Sequence, residues 1–400
     1  MKLPSAWKVK PLSELTQSDR PISYGIVQTG EPLDEGVPCV RVVDLVSRSL
    51  DPKRMIKTTQ KISQSYKRTI LKENDLMFAL RGEIGCVAKV NKSLIGANLT
   101  RGVALIAPNS SIEPDYLLWQ VKSPAVRREM MTEVNGSALQ EIPIKSLRKV
   151  SIPIAPLEEQ KKIAEILSTW DRAIELTDEE IRLEERRLLW ILAHLNKLMT
   201  AGSEKPTRLT SVVDRLSNGM TYDTKAVLDD GLAITRIETI SDGRIDYKKT
   251  GYIHESILPG QFAMKAGDIL FSHINSLTHL GKVAFYDGRR PLIHGMNLLL
   301  IRANEKIRPK LLFYFLRTPN AKKYVASRAK KAINQASINT TELEQMEMHL
   351  PSPKLQEELE SAIESIEVRA ESLRRKSDLL KTQKQGLMQK LLTGKVRVKV

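Results

Sequence analysis

Two long stretches of the chain repeat apolar residues with helical spacing, each after a pair of prolines. Residues 157–200 contain neither proline nor glycine, which predicts a helix that begins after Pro156 and ends before Gly202. Apolar residues recur there at alternating intervals of four and three, with Thr177 and Glu184 as polar interruptions. They are Ile163, Leu167, Trp170, Ile174, Ile181, Leu188, Ile191, Leu195 and Leu198. This spacing predicts a coiled-coil seam.

A second long helix is predicted after Pro351 and Pro353, with a narrower apolar stripe. Its apolar seam positions are Leu359, Ala362, Ile366, Leu373, Leu380 and Leu387, and Arg369, Lys376 and Gln383 take the alternate positions. Because a whole globular segment separates the two helices, we expect them to pair as an antiparallel coiled coil. At about 1.5 Å per residue, each helix extends roughly 60 Å. The alternative is two amphipathic helices that pack on separate cores.

Shorter apolar runs fill the rest of the chain. Examples are residues 37–43, 75–80 and 102–106, which are separated by Gly, Pro, Asn and Ser. This pattern predicts mainly strands and loops with a few helices.

The second half of the chain repeats the first with a shift of about 195 residues. Matching positions include Arg41 with Arg236 and Asp75 with Asp268, and Pro153 with Pro351 and Leu157 with Leu355 further on. Such a repeat predicts two copies of one structural plan. We therefore predict an α+β fold, in which two similar domains of mixed strands and helices are separated by two long helices packed as an antiparallel coiled coil, with pseudo-twofold symmetry. The predicted segments are a first domain (1–156), a first helix (157–202), a second domain (203–353) and a second helix with a C-terminal tail (354–400).

The positive charge lies mainly in the two globular segments. The formal net charge of the chain is +16, to which residues 1–156 contribute +8 (23 basic and 15 acidic residues) and residues 201–353 contribute +7 (22 and 15). The first helix is acidic and the second is basic, so the two attract each other. A basic surface favours double-stranded DNA as a partner, although a merely basic soluble protein has the same composition.

Cysteine content and the N-terminus indicate a cytoplasmic protein. Two cysteines, Cys39 and Cys86, are too few for a disulfide framework or a thiolate metal cage. The N-terminus lacks the apolar run of a signal peptide, and we expect no membrane span.

Several local motifs resemble those of type I restriction-modification specificity subunits, and together they cover nearly the whole chain. Leu3, Pro4 and Trp7 resemble the opening motif of that family. An aspartate, an apolar run and Arg-Gly follow in the family, as in Asp75, Leu76, Arg81 and Gly82 here. The start of the first helix (Ile152, Pro153, Pro156, Leu157, Glu159, Gln160, Ile163) and the closing stretch 387–394 are similar too. The second copy departs from the motifs, since Lys354 stands between proline and leucine and residues 273–280 replace Arg-Gly.

The resemblance implies a function in DNA recognition. It implies a chain that recognises a bipartite, gapped DNA sequence and binds two adenine methyltransferase subunits, and two translocating nuclease subunits in the restriction form. Such a chain binds no cofactor itself. S-adenosylmethionine, and ATP with Mg²⁺ in the nuclease form, belong to the partner subunits.

The residues themselves indicate that catalysis lies elsewhere. The chain lacks a methyltransferase Asn-Pro-Pro-Phe/Tyr tetrad, a Gly-x-Gly cofactor turn, a phosphate loop and a nuclease motif. Residues 25–30 have the glycine spacing of a phosphate loop, but Glu31 stands where lysine is required. His273, His279 and His294 match no metal-ligand spacing, so we expect no metal site.

Candidate DNA contacts fall into two groups. Basic residues are expected to neutralise phosphates, and a few polar side chains are expected to contact base edges. The phosphate candidates are Lys53, Arg54, Lys57, Lys67 and Arg68 in the first domain and Lys248, Lys249, Arg289, Arg290, Lys322, Lys323 and Arg328 in the second. The base candidates are Arg81, Arg101 and Gln140 in the first domain and His273, Asn275, His279 and Asn334 in the second. Arg81 and Arg101 each adjoin a glycine that permits close approach to DNA.

Three other functions remain open at this point. The first is a divergent or fused DNA-modifying enzyme with an unrecognised active site, which the missing motifs disfavour. The second is a structural coiled-coil protein, which the basic charge of the globular segments disfavours. The third is a methylation system without the nuclease, because that partner leaves no mark on this sequence.

Overall fold

The computed structural model describes residues 3–47, 50–136, 140–201, 205–222, 231–241, 243–254, 260–332 and 335–399. The chain divides into two compact units. Unit 1 comprises residues 1–178 and 375–400, and unit 2 comprises residues 179–374. Each unit thus contains one globular region and part of both long helices, which span Leu157–Met199 and Pro353–Leu391. The four-segment division of the chain stays a prediction.

Unit 1 is built around a four-stranded antiparallel sheet. In spatial order its strands are Ser23–Tyr24, Val103–Ile106, Leu76–Ala79 and Val87–Lys89. A second sheet has the order Ile56–Thr58, Val37–Val40 and Asn98–Leu99, and Lys8–Pro11 pairs with Ser151–Ile154. The α-helices before the first long helix are Val42–Val46, Gln60–Ser65, Pro114–Lys122, Pro124–Thr132 and Ile144–Lys149. Short 3-10 turns cover Leu12–Leu15, Pro52–Arg54, Lys67–Thr69 and Lys92–Leu94.

Unit 2 has its own four-stranded antiparallel sheet. Its strands, in spatial order, are Val213–Asn218, Leu299–Ala303, Ile269–Phe271 and Val283–Phe285. Three two-stranded sheets pair Thr207–Arg208 with Glu347–Met348, Leu232–Ile234 with Gly251–Ile253, and Ile240–Ser241 with Arg244–Ile245. A three-stranded sheet has the spatial order Ile274–Asn275, Gln335–Ser337 and Lys330–Ala332. The shorter α-helices are Pro309–Leu316, Pro319–Arg328 and Thr340–Glu344. Single 3-10 turns cover Leu209–Val212, Ile237–Thr239, Tyr247–Lys249 and Gly260–Phe262.

The two units share one plan, which confirms the predicted repeat and the α+β fold. The main sheets have the same order in sequence terms: the first strand lies beside the last, and the two middle strands follow. A pair of helices, each beginning at a proline, follows the last sheet strand in both units.

The central strands Leu76–Ala79 and Ile269–Phe271 of the two main sheets are buried on both faces, which explains their continuous apolar runs. In unit 1, Leu76 and Phe78 pack into one core cluster and Met77 and Ala79 into another. Alternation along a strand sends successive side chains to opposite faces, so a sheet covered on both sides needs apolar residues at every position. One predicted strand run is partly helical: residues 37–40 form a strand, but Val42 begins a helix.

A buried aspartate precedes the central strand in each unit. Asp75 accepts a hydrogen bond from the backbone N–H of Lys72 at 2.7 Å, and Asp268 accepts one from Lys265 at 2.7 Å. An arginine balances the negative charge in both units. In unit 1 it is Arg20, and in unit 2 it is Arg302 from the last sheet strand. The two copies therefore meet the same electrostatic requirement with residues from different elements.

Within each unit the two long helices run antiparallel, as predicted. In unit 1, Lys384 pairs with Asp171, while Lys381 and Ser377 pair with Asp178 at 3.4 and 2.6 Å. The later residue of the first helix thus pairs with the earlier residues of the second helix, so the two helices run in opposite directions. In unit 2, Nε of Arg369 lies 3.0 Å from Oε1 of Glu184, and Nη2 of Arg374 lies 2.7 Å from Oε1 of Glu185. The acidic first helix thus faces the basic second helix through charged pairs.

The seam of the first helix follows the prediction as far as Leu188, and beyond it Leu192 and Met199 are buried where the spacing predicted Ile191 and Leu198. The seam of the second helix is displaced at alternate positions. The buried residues are Ile363, Ala370 and Ser377, where the spacing predicted Ala362, Arg369 and Lys376. The predicted residues are exposed. The positions Leu359, Ile366, Leu373 and Leu380 are compatible with either choice, and only contact with the first helix decides which neighbours turn inward.

A glutamine anchors the start of each long helix. The side-chain oxygen of Gln160 accepts the backbone N–H of Glu113 at 2.8 Å, and that of Gln356 accepts the backbone N–H of Arg308 at 2.9 Å. Both glutamines also donate to a carbonyl five residues earlier, Ala155 or Pro351. Gln356 makes the contacts of Gln160, so equivalent positions at the two helix starts are 196 residues apart. Leu157 therefore corresponds to Pro353, and the match of Leu157 with Leu355 predicted from sequence is wrong by two residues.

Three motifs of the family resemblance meet inside unit 1. The indole N–H of Trp7 donates to the carboxylate of Glu159 at 3.1 Å, and Arg397 from the C-terminal tail contacts the same carboxylate with its Nε at 3.0 Å. A Cβ atom at Gly394 would lie 2.5 Å from Pro4, so only glycine fits there. The opening, central and closing motifs are therefore one packing arrangement. Among the described residues, no helix is both long and apolar enough to cross a membrane.

Candidate nucleic-acid interface

The two best base candidates of the first domain lie in one surface cleft of unit 1. This cleft, about 770 Å³ in volume, is lined by Arg41, Arg81, Arg101 and Glu83 among polar residues. Its apolar lining is formed by Ile26, Val27, Val42, Val43, Val46 and Ile56. We call it the arginine cleft. Gln140, the third base candidate, is exposed and does not line the cleft, although the next residue, Glu141, forms an isolated antiparallel bridge with Arg81.

Arg41 and the valines of the arginine cleft were not among the contacts predicted from the sequence. Arg41 is the N-cap of the helix Val42–Val46, and its side chain is held by Asp44 through contacts of 3.1 and 3.0 Å. Asp44 also accepts the backbone N–H of Arg41 at 2.8 Å, which is the half of a capping box that an acidic residue in the first turn supplies. Arginine at the N-cap itself is not a sequence signal for a helix start. The exposed valines could not be identified, since apolar residues in the sequence are first assigned to the core.

The phosphate candidates of the first domain lie on exposed turns. Lys53 and Arg54 form the turn that precedes the strand Ile56–Thr58, and Lys67 and Arg68 lie on a second turn. Lys57 is half-buried, and its amine donates to the carbonyl of Asp34. Exposed ammonium and guanidinium groups at turns suit phosphate contacts, while Lys57 already has a partner.

In unit 2 the fold brings together phosphate candidates that are distant in sequence. Lys248 and Lys249 directly follow Tyr247, and the guanidinium of Arg290 lies 5.3 Å from the centre of the Tyr247 ring. Arg289 is exposed beside Arg290 and pairs with Asp287 at 3.0 Å. Lys322 and Lys323 are exposed elsewhere on the helix Pro319–Arg328, and Arg328 faces Glu342 at 3.9 Å. The four residues around Tyr247 form the largest basic group among the predicted contacts of this unit.

The base candidates of unit 2 differ in accessibility. His279 is exposed. Asn275 is half-buried, donates to Ser272 Oγ at 3.2 Å and accepts the backbone N–H of Ser276 at 2.8 Å. His273 is only 8% exposed, and burial lowers its pKa, so it does not belong to the exposed surface of the unit. Asn334 lies outside the described residues. All these assignments remain predictions.

The histidines of unit 2 do not form a metal-binding group. His294 is fully buried, and its Nε2 lies 3.0 Å from the carbonyl oxygen of Leu298. Burial is the main cause that lowers its pKa to about 4, so the ring is neutral at physiological pH. In the described ranges no three His, Cys, Asp or Glu side chains come together as metal ligands.

Equivalent surface positions carry different residues in the two units. The backbone N–H of Arg101 donates to the carbonyl of Ile26 at 2.8 Å, and that of Met296 donates to Met220 at 2.9 Å, so Met296 occupies the position of Arg101. The backbone N–H of Ile142 donates to the carbonyl of Leu80, and that of Ile338 donates to the carbonyl of His273. His273 therefore occupies the position of Leu80. The residue after His273 is Ile274, which therefore stands where unit 1 has Arg81.

Residues 4–185 and 205–381 match the family model described as type I restriction modification DNA specificity domain. The putative type I restriction enzyme MjaX specificity subunit of Methanocaldococcus jannaschii is 41% identical over 192 residues, which cover 46% of this chain and 44% of that relative. The chain thus spans less than half the length of that relative. The type I restriction enzyme EcoKI specificity subunit of Escherichia coli K12 is 23% identical over 430 residues, covering 99% of this chain and 89% of the relative.

Solved structures show the same fold. The crystal structure of the type I restriction-modification system S subunit from M. genitalium superposes with a TM-score of 0.60 at 15% identity, covering 98% of both chains. A chain from a study of complex assembly and conformational transition of the type I restriction-modification system gives a TM-score of 0.59 at 16% identity, covering 99% of this chain and 100% of that one.

Proposed function

This chain belongs to the type I restriction modification DNA specificity family, and we propose that it recognises a bipartite DNA sequence, one half with each unit. The observation that supports this most directly is the duplicated plan with different surface residues. Arg81 and Arg101 of unit 1 correspond to Ile274 and Met296 of unit 2. Two domains with the same fold but different contact residues suit two different half-sites.

The positive charge of both globular regions supports binding to duplex DNA by each. Lys53 and Arg54 in unit 1 and the group around Tyr247 in unit 2 would neutralise phosphates. Such contacts set affinity and position on the duplex. Base contacts from a few other residues would then set the sequence.

Catalysis is assigned in this proposal to partner subunits. The sequence has no Asn-Pro-Pro-Phe/Tyr tetrad, no Gly-x-Gly cofactor turn, no phosphate loop and no nuclease motif. Adenine methylation with S-adenosylmethionine would be carried out by two methyltransferase subunits. Cleavage, with ATP and Mg²⁺, would be carried out by nuclease subunits where these are present. This chain would place them on the DNA.

The outer faces of the long helices are the proposed docking surface for a methyltransferase subunit. In unit 2, Leu189 and Trp190 are 66% and 58% exposed on the first helix, and the Trp190 ring stacks on His194 with centroids 4.4 Å apart. Exposed aromatic and apolar side chains on a helix are typical of protein interfaces. Trp190→Ala is expected to reduce co-purification of the methyltransferase at least tenfold, whereas Glu305→Ala, at an exposed turn of unit 2 outside the long helices, should leave it unchanged.

The test of the proposed function is to express the chain with the methyltransferase subunit encoded beside it and to map methylated adenines genome-wide. We expect a gapped motif with one methylated adenine in each half. No modification, together with no co-purifying partner, would contradict the proposal and favour an unrecognised enzyme or a structural protein.

Exchange of one unit's globular region tests the division of labour. Replacing residues 205–350 by those of a relative is expected to change one half of the methylated motif and to preserve the other. Since unit 1 is untouched, a change in both halves would contradict independent recognition by the two units.

A further inference from the structure

The arginine cleft of unit 1 combines positive charge with an exposed apolar wall. Val27, Val43 and Val46 are 45%, 56% and 37% exposed, and all three line the cleft beside Arg41, Arg81 and Arg101. Apolar groups between guanidinium groups are a poor design for binding phosphate alone, because phosphate contacts need only solvated charge. The lining suggests a ligand with both hydrogen-bond acceptors and a methyl group.

The three guanidinium groups are available in different ways. Arg41 is held in place by Asp44, which accepts from its Nε and Nη2, so one edge of this fork is fixed. Arg81 and Arg101 make no ion pair or side-chain hydrogen bond with the residues that the structure describes. Their donors are therefore free to meet a ligand.

Gly102 determines the position of Arg81. A Cβ atom at this position would lie 2.9 Å from Arg81 Nε and 2.9 Å from Val42 Cγ2. The Arg81 side chain thus crosses the backbone at Gly102, where a larger residue would displace it. This packing places Arg81 in the cleft rather than in free solution.

We propose that the arginine cleft recognises the major-groove edge of a guanine that has a thymine as its neighbour. The inference rests on the proposed function, and it specifies what unit 1 contacts. Arginine donates to guanine O6 and N7 in a bidentate manner, and an apolar side chain suits the thymine methyl group. Glu83, the acidic residue of the lining, is an acceptor for the N4 amino group of the paired cytosine.

Unit 2 lacks this arrangement. Ile274 and Met296 stand where unit 1 has Arg81 and Arg101, and only Arg236 is retained at the position of Arg41. The guanine preference is therefore assigned to one half-site only. This asymmetry distinguishes base recognition from a general electrostatic attraction, which both units share.

The first experiment selects duplexes from a library of random 30-base-pair DNA with the full chain and its methyltransferase partner. The wild type is expected to enrich a gapped motif. Whichever of Arg81→Gln and Arg101→Gln removes the bidentate arginine should relax the guanine position in one half by about 5- to 150-fold, the discrimination of such a contact. The matched control is Arg127→Gln, which removes the same charge from the exposed side of the helix Pro124–Thr132 of unit 1, outside the cleft and outside the predicted DNA contacts, and should preserve the motif.

Modified bases test the chemistry directly. Replacing that guanine by 7-deazaguanine removes the N7 acceptor, and replacing the neighbouring thymine by uracil removes the methyl group. Wild-type binding should weaken at least fivefold with 7-deazaguanine, and the variant that lacks the arginine bound to N7, either Arg81→Gln or Arg101→Gln, should be insensitive to that replacement. Uracil should weaken binding in the wild type but not in Val43→Ser.

Gly102→Ala separates the position of Arg81 from its charge. The variant keeps all three arginines but displaces Arg81, so it should relax the same guanine position as Arg81→Gln. Urea unfolding of each variant confirms that unit 1 is folded.

An unchanged motif with all three of Arg81→Gln, Arg101→Gln and Gly102→Ala overturns the cleft assignment while leaving the proposed function intact. Loss of methyltransferase co-purification with an unchanged motif identifies the cleft as a protein contact and also overturns it. A wild type that enriches no motif overturns the proposed function itself.

Discussion

Single buried residues in both units have properties that follow from their surroundings rather than from their type. His294 is the clearest case, because burial removes water from both ring nitrogens and lowers the pKa to about 4. An unfolded chain restores the ordinary histidine pKa of about 6.5. The folded state therefore binds fewer protons than the unfolded state between these two values.

The sign of the pH effect follows from that difference. Above pH 6.5 the ring is neutral in both states, and as the pH falls toward 4 only the unfolded state gains a proton, so stability falls. Between pH 7.5 and pH 5, His294 should account for about 2 kcal/mol of lost stability in unit 2. Urea titration with pulsed hydrogen exchange of the strand Leu299–Ala303 measures it. His294→Gln should remove this contribution, and the exposed His279→Gln should retain it; equal pH dependence in the two variants would contradict the assignment.

Buried glutamines are a second residue-scale feature. Gln160 and Gln356 satisfy backbone groups at the start of a preceding helix and at the end of the preceding strand or loop. Gln160→Ala should destabilise unit 1 by about 1–3 kcal/mol, because it leaves buried polar groups without partners, and Gln356→Ala should do the same in unit 2. The exposed Gln383→Ala is the control, with a change within about 0.5 kcal/mol in urea unfolding.

At the scale of elements, the second long helix shows the limit of periodicity. Apolar residues recur every seven positions at Leu359, Ile366, Leu373 and Leu380, but this spacing does not decide which residue between them is buried. In the structure the buried residues between them are Ile363, Ala370 and Ser377. Ser377 tolerates burial because its hydroxyl donates to Asp178 at 2.6 Å. Apolar periodicity predicts which face of a helix is buried, but contact with the partner helix determines which residues at the border of that face are buried.

The corrected seam predicts opposite effects at two adjacent positions. Ile363→Ala should cost about 2–5 kcal/mol, since it leaves a cavity in the core of unit 2. Ala362→Glu should change stability by no more than about 0.5 kcal/mol, because Ala362 faces solvent. Thermal unfolding of the two variants measures both effects. A large loss with Ala362→Glu and a small loss with Ile363→Ala would restore the seam predicted from sequence.

At the scale of the whole molecule, basic charge sets the DNA affinity. The chain has a net charge of +16, so binding to a target duplex should weaken steeply with salt, with a logarithmic slope of about −0.9 per neutralised phosphate. Lys248→Ala combined with Lys249→Ala should reduce the magnitude of this slope by about 2. Fluorescence anisotropy at several salt concentrations gives the slope, and Lys354→Ala, an exposed residue at the start of the second helix, serves as the control. A wild-type slope near zero would contradict phosphate contacts.

The sequence by itself determined the repeat, the fold class and the two long helices. These features depend on local patterns, namely prolines, heptad spacing and apolar runs, which keep their meaning without knowledge of distant contacts. The family motifs were also visible in sequence, although their meeting at Trp7, Glu159 and Arg397 was not.

Only the tertiary structure decided the seam of the second helix, the 196-residue register at the helix starts and the assembly of the arginine cleft. Arg41, Arg81 and Arg101 lie up to 60 positions apart in sequence and share a surface because the sheets of unit 1 bring their loops together. The arginine that balances the buried aspartate likewise comes from different elements in the two copies. Such relations depend on long-range packing, in which any element of suitable shape and charge can fill a position, and so no local pattern encodes them.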